Sequence, residues 1–147
     1  MTVSANMDER TLRELYLASF EYAVVEGRPW TVMCAYNRIN RVYAAGNRFA
    51  LTEVLRDEWG FDGFVVSDWN AVDDRVADLA AGLDLQMPGN NGTDDRKIMA
   101  AVREGRLAEE VLDQAVRRLL TIIDRYESQK MPSPCQWAAP PQGARRR

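Results

Sequence analysis

The chain has 147 residues, 46% of them hydrophobic, which suffices for one ordinary domain with a core. Its 19 Lys and Arg against 22 Asp and Glu leave a net charge of −3, and the pI is near 5.1. That balance gives no basic footprint for nucleic acid, and no apolar run approaches the ~20 residues of a membrane helix, so neither partner is expected.

Asp8 to Gly27 reads as a helix. Thr11 and Glu14 have capping-box spacing, Leu12, Leu15, Tyr16, Phe20, Ala23 and Val24 recur on one face, and Gly27 with Pro29 ends it. Thr31 to Tyr36 is an apolar run that predicts a buried strand, followed by a polar, irregular loop from Asn37 to Asn47. A second helix runs from about Ala50 to Trp59 and stops at Gly60. Phe64 to Ser67 predicts the second strand. Ala71 to Ala81 then reads as a helix with Val72, Val76, Leu79 and Ala80 inward. Leu83 to Met87 predicts a third strand, and Pro88 to Gly92 is turn chemistry. Asp94 or Asp95 would cap a helix reaching about Glu104, and the last helix, Ala108 to Tyr126, carries Leu112, Ala115, Leu119, Ile123 and Tyr126 on one packed face.

Three strand-then-helix units in succession, preceded by a helix and with strands apolar on both faces, point to an α/β fold with a parallel sheet and right-handed crossovers. A partial (β/α) TIM barrel fits best. A complete barrel needs eight strands and roughly 250 residues, so this chain is part of one. From Ser128 the helical period is lost: four of the six prolines and Lys130, Arg145, Arg146 and Arg147 fall there. Residues 128–147 therefore read as a disordered, non-native tail, the alternative being a short proline motif for a partner. Met1 to Arg10 lacks the basic start and apolar middle of a signal peptide, so the chain as it stands reads as soluble and cytoplasmic, with export of a longer parent left open. Cys34 lies in an apolar run and Cys135 in the tail, neither with a second Cys at metal or redox spacing.

The absence of His removes Ser-His and Cys-His nucleophile systems and most zinc sites. Carboxylate chemistry remains, with no cofactor implied. Asp68 ends the run Phe64-Val65-Val66-Ser67 and is followed by Trp69. A strand would deliver this carboxylate to the C-terminal lip of the sheet, where α/β proteins place their sites, although strand-end Asp residues also cap helices and hold turns. The indole beside it offers a flat apolar wall. The pair Asp73-Asp74 is open to two readings, a metal site or acids complementing a helix macrodipole. Asp84 reads as a helix-strand junction residue.

Several stretches resemble glycoside hydrolase family 3, together spanning Asp8 to about Tyr126: Arg10 to Leu17, Val32-Met33-Cys34-Ala35-Tyr36-Asn37-Arg38-Ile39-Asn40, Leu55 to Gly63, Ser67-Asp68-Trp69 and Ala81-Gly82-Leu83-Asp84-Leu85. The resemblance implies that residues 1–127 are the C-terminal portion of the family's barrel domain. It also implies that the parent is a retaining β-glycosidase of β-glucosidase type acting on terminal β-D-glucosyl residues. By motif, Asp68 would be the nucleophile, Tyr36 would approach it, Met33 would line the same subsite and Trp69 would border the entrance.

The chain departs from the family pattern in several places. The Lys-His pair and Arg residues that hold sugar hydroxyls precede the first helix in the family, and nothing between Ala108 and Arg147 resembles the general acid/base. A branch that uses a loop His for that role is excluded. Arg41 stands where Gly is common and Gln86 where an acid is frequent. The isolated chain is accordingly expected to be inactive, and its open sheet edges to favour self-association. The alternatives are a non-catalytic α/β segment that needs a partner chain, a degraded remnant, or a phosphate-accepting Asp, for which Asn70 replaces the second Asp such sites want.

Overall fold

The computed structural model describes residues 3–129. In chain order the elements are β1 (Ser4–Ala5), α1 (Glu9–Thr11), a π-helical stretch Leu12–Leu17, α2 (Ala18–Val25), β2 (Thr31–Cys34), β3 (Arg38–Ile39) and β4 (Val42–Tyr43). A 3-10 turn Ala44–Gly46, a π-helix Phe49–Glu58, β5 (Phe64–Ser67), α3 (Arg75–Ala81), α4 (Thr93–Arg103) and α5 (Glu109–Ser128) follow. α5 runs to Ser128, the first residue of the predicted tail; residues 130–147 of that tail, with Cys135, lie outside the described residues.

The centre is the parallel pair β2–β5, with Val32 opposite Val65 and Cys34 opposite Ser67. Successive side chains of a strand point to opposite faces. Val32, Cys34, Val65 and Ser67 face the helical layer, where Val65 and Leu83 are fully buried, each such side chain stabilising the fold by about 1.5–3 kcal/mol. Met33 lies on the other face and is 61% exposed, so the strands are not buried on both sides as their composition suggested; among the described residues, helices cover one face only. The third predicted strand is reduced to the single parallel bridge Val66–Leu85. Its ladder stops because the Ser67 hydroxyl takes over both backbone groups of Met87, accepting from its N–H at 2.8 Å and donating to its carbonyl at 3.1 Å, while Pro88 has no N–H to offer.

The segment expected to be an irregular loop contains a two-residue hairpin. β3 and β4 pair antiparallel across Asn40-Arg41, both at positive φ (50° and 73°), and β1 adds to β3 in parallel. Both residues sit where type I′ turns favour Asn-Gly, so Arg41 occupies the position glycine would hold without strain.

The first helix starts at Asp8 as read, but its cap is Asp8 itself and not Thr11: Asp8 Oδ1 accepts from the Thr11 amide at 2.8 Å and Oδ2 from its hydroxyl. Its predicted inward face is corrected too. Leu12 and Val24 are buried, but Leu15, Tyr16 and Phe20 are exposed, because the π-turn unwinds the 3.6-residue register and no described element covers that side. α3 begins at Arg75, with Asp74 capping the amides of Val76 and Ala77, and Ala80 is exposed. α4 is preceded by Gly92 at φ 75°, so Asp94 and Asp95 stand in its first turn instead of capping it. α5 packs through Ala115 and Ile122, whereas Ile123 and Tyr126 turn outward.

Helices and sheet are locked together by Asp84, whose side chain is 1% exposed. It accepts from Arg56 at 2.6 Å, Arg118 at 2.9 Å and the Val65 amide at 2.8 Å. Arg75, also buried, donates to the carbonyls of Leu83 and Asp84. Burial pushes the Arg56 and Arg75 guanidiniums down from their usual range, and the charge of Asp84 opposes that. Asp84 thus has the junction role its sequence position suggested, at the N-terminal end of the sheet.

Candidate active site

At the opposite end, β5 delivers Asp68. The Ser67 amide is held by Leu85, and beyond it the chain turns sharply: Ala71 N–H donates to the Asp68 carbonyl at 3.1 Å and Asn70 N–H to Met87 at 2.9 Å. Asn70 sits at φ 64°, a conformation Asn tolerates better than most residues. The turn projects Asp68 outward, half-buried at the lip.

Asp68 Oδ1 accepts from the Tyr36 hydroxyl at 2.9 Å and from the Trp69 amide at 2.6 Å. Tyr36 lies just past β2, the neighbouring strand, so the parallel pairing of β2 with β5 is what brings these two residues together across 32 positions of sequence. The hydrogen bond to Asp68, reinforced by desolvation and by the carboxylate charge, raises the Tyr36 phenol above its ordinary pKa. Tyr36 is therefore a neutral donor at any ordinary working pH. Among the described residues Asp68 makes no ion pair and Oδ2 accepts no hydrogen bond. The carboxylate is fixed by one oxygen and free at the other.

Trp69, 60% exposed, stands beside it as an uncovered indole. Met33 is in register with Val66 on the open face of the sheet and makes no hydrogen-bonded link to the pair. Met87, backbone-tied to Ser67, closes the third side of the lip. The loop beyond it is organised by Asp94, which accepts from Gln86 at 2.9 Å, from Asn90 and from Lys97 at 2.7 Å; this network lowers the Asp94 pKa, Lys97 contributing most. Gln86 serves as a neutral donor here, a role an acid at that position would not fill without a proton. Asp74 is a helix cap, and among the described residues no group of three or more acids and Cys is gathered to hold a metal.

Two features of the site escaped the sequence. The Trp69 amide as a donor follows only from the turn after β5. The Ser67 hydroxyl as a clasp on Met87 follows only from the register of the third strand, although a Ser at the end of an apolar run was a visible oddity.

Residues 1–122 match the model of the glycosyl hydrolase family 3 N terminal domain. The chain belongs to glycoside hydrolase family 3. It is 59% identical over 123 residues to a thermostable beta-glucosidase B of Acetivibrio thermocellus, which covers 84% of this chain and 16% of that protein. The structure superposes on the family 3 beta-glucosidase of Bifidobacterium adolescentis with a TM-score of 0.82 at 48% identity, covering 89% of this chain and 19% of that one. It also superposes on beta-glucosidase 3B of Thermotoga neapolitana in complex with glucose, with a TM-score of 0.78 at 48% identity, covering 82% and 18%. This family 3 chain therefore spans less than a fifth of the relatives it matches, and its two-strand sheet with one bridged third segment is a portion of their N-terminal barrel.

Proposed function

We propose that this chain carries the nucleophilic half of a retaining β-glycosidase of β-glucosidase type, acting on terminal non-reducing β-D-glucosyl residues. Asp68 attacks the anomeric carbon as the glycosidic C–O bond breaks, and water later hydrolyses the glycosyl ester to return the carboxylate. The observation that carries the reading is the strand-end carboxylate held through Oδ1 by two neutral donors, Tyr36 and the Trp69 amide, with Oδ2 free to attack. Among the described residues no cation quenches its charge, and both donors fix its direction. Trp69 and Met33 would offer apolar walls to a pyranose ring. The glucose complex of the Thermotoga relative supports glucose as the sugar.

The leaving oxygen needs a proton, and its donor would come from outside residues 3–129. The isolated chain is then expected to hydrolyse 4-nitrophenyl β-glucoside poorly or not at all, and a dinitrophenyl β-glucoside, whose leaving group needs no acid, measurably better. Steady-state release of the two phenolates checks this. Robust turnover of the mononitrophenyl substrate that is lost in Asp68→Ala would contradict the incompleteness while keeping the nucleophile.

A second reading, a non-catalytic segment that assembles with another chain, draws on the open face around Met33 and the edge of β2 that is unpaired among the described residues. A well-behaved monomer in size-exclusion chromatography would count against it.

A further inference from the structure

Asp78 is a buried acid with no part in the chemistry above. It lies on α3, is 3% exposed, and among the described residues its side chain has one hydrogen bond, from the Asp73 amide to Oδ2 at a long 3.3 Å. Its other oxygen faces the turn Ala44–Gly46, where a Cβ on Gly46 would stand 2.6 Å from Oδ1; only glycine leaves room for the carboxylate. Each of these neighbours ends a segment that begins at the site. The Gly46 turn is tied back through the Ala44 amide to the carbonyl of Asn37, next to Tyr36, and Asp73 closes the loop that opens with Asp68. One carboxylate thus touches both loops whose meeting makes the Tyr36–Asp68 hydrogen bond.

We propose that Asp78 is a positioning residue for the Asp68 site: its charge state sets how the loop bearing Tyr36 is held against the loop bearing Asp68. The charged form is attracted to Arg75 on its own helix and repelled by Asp73 and Asp74 from the β5–α3 loop. Arg38, Arg41 and Tyr43 of the hairpin line the same cavity, and the Cys34 thiol on β2 senses the charge. On the other side of α3, α4, α5 and the loop between them meet Leu79 with Ile98, Ala101, Leu107 and Ala115, the α4 acids Asp94 and Asp95 add their charge at Arg75, Lys97 and Arg106 line a cavity with Asp74 and Ala77, and the Phe49–Glu58 helix meets α3 through Thr52 on the Ala81 carbonyl. Burial, the largest cause, pushes the Asp78 carboxyl up to about 6, so the charge changes within the range where glycosidases are assayed.

The effect on rate rests on the glycosidase reading; the coupling of the two loops does not. The test is an NMR titration of the full chain from pH 5 to 7.5, following the Asp side-chain carboxyl carbons and the backbone amides. A transition near pH 6, assigned by its loss in Asp78→Asn, is expected at Asp73 and Gly46 and, with the same midpoint, at Tyr36 and Asp68. The wild-type titration needs no variant to fold. Gly46→Ala gives a second probe, because its Cβ displaces the carboxylate and should move the Asp68 and Tyr36 resonances. A transition confined to Asp78 and Asp73, with Tyr36 and Asp68 unmoved in both experiments, would overturn the proposal. Coupled amides in a chain that forms no glycosyl adduct would instead refute the glycosidase reading and leave the positioning role standing.

Discussion

Asp84 and Asp68 are the same residue at opposite ends of one small sheet, and they differ in what surrounds their charge. Asp84 is sealed beneath the helices with two guanidiniums and a backbone amide, its three side-chain hydrogen bonds holding α5 and the Phe49–Glu58 helix against β5. Asp68 stands at the open lip with two neutral donors on one oxygen and, among the described residues, nothing on the other. A carboxylate neutralised by arginines is a rivet. One oriented by neutral donors keeps its charge, as the proposed attack on a sugar requires. Residue type therefore says little about role; the sign and placement of the partners say most of it.

The strongest way to break this contrast is to remove the rivet. Asp84→Ala leaves Arg56 buried without its partner and should cost about 3–5 kcal/mol in urea denaturation, enough to threaten the fold. A loss under 1 kcal/mol would show that the cluster is dispensable.

Asp78 lies between the two extremes, buried but poorly partnered. Its folded pKa of about 6 lies above the ordinary 3.8, so the native state holds the proton more tightly than the unfolded chain. Its favourable contribution is complete below about pH 4 and is lost as pH rises through about 6. Asp78→Asn should therefore stabilise the chain by about 2–3 kcal/mol at pH 7.5 and have little effect at pH 4, which paired denaturation curves at the two pH values would reveal.

The smallest stability effect is expected at the lip. Tyr36→Phe removes one donor from an open site and should change stability by less than about 0.5 kcal/mol, while slowing attack by Asp68 about tenfold. An equal loss of stability and rate would make Tyr36 structural.

Much of the sheet was legible because its signals are local. The β-branched run Phe64–Ser67, closed by Asp68, and the apolar run at Thr31 have few other solutions, and parallel pairing then places Tyr36 beside Asp68. The hairpin was not legible, because strands of two residues carry no period and its turn has Arg41 where glycine would announce it. The exposed side of the first helix misled for another reason: Leu15, Tyr16 and Phe20 have helical spacing, but the π-turn and the lack of a described neighbour decide where they point. The convergence of Arg56, Arg75 and Arg118 on Asp84 joins three separate helices to one strand end, which no spacing rule anticipates.

The central claim, that Asp68 is the attacking carboxylate, is tested most directly by intact-mass analysis after incubation with dinitrophenyl 2-deoxy-2-fluoro-β-glucoside. Its leaving group departs without an acid catalyst, and the fluorine slows release of the glycosyl ester. The account predicts a fluoroglucosyl adduct on the wild-type chain that maps to Asp68 and is absent from Asp68→Ala, whose stability should stay within about 0.5 kcal/mol of the parent. An adduct that persists in Asp68→Ala, or none on the folded wild-type chain, would contradict it.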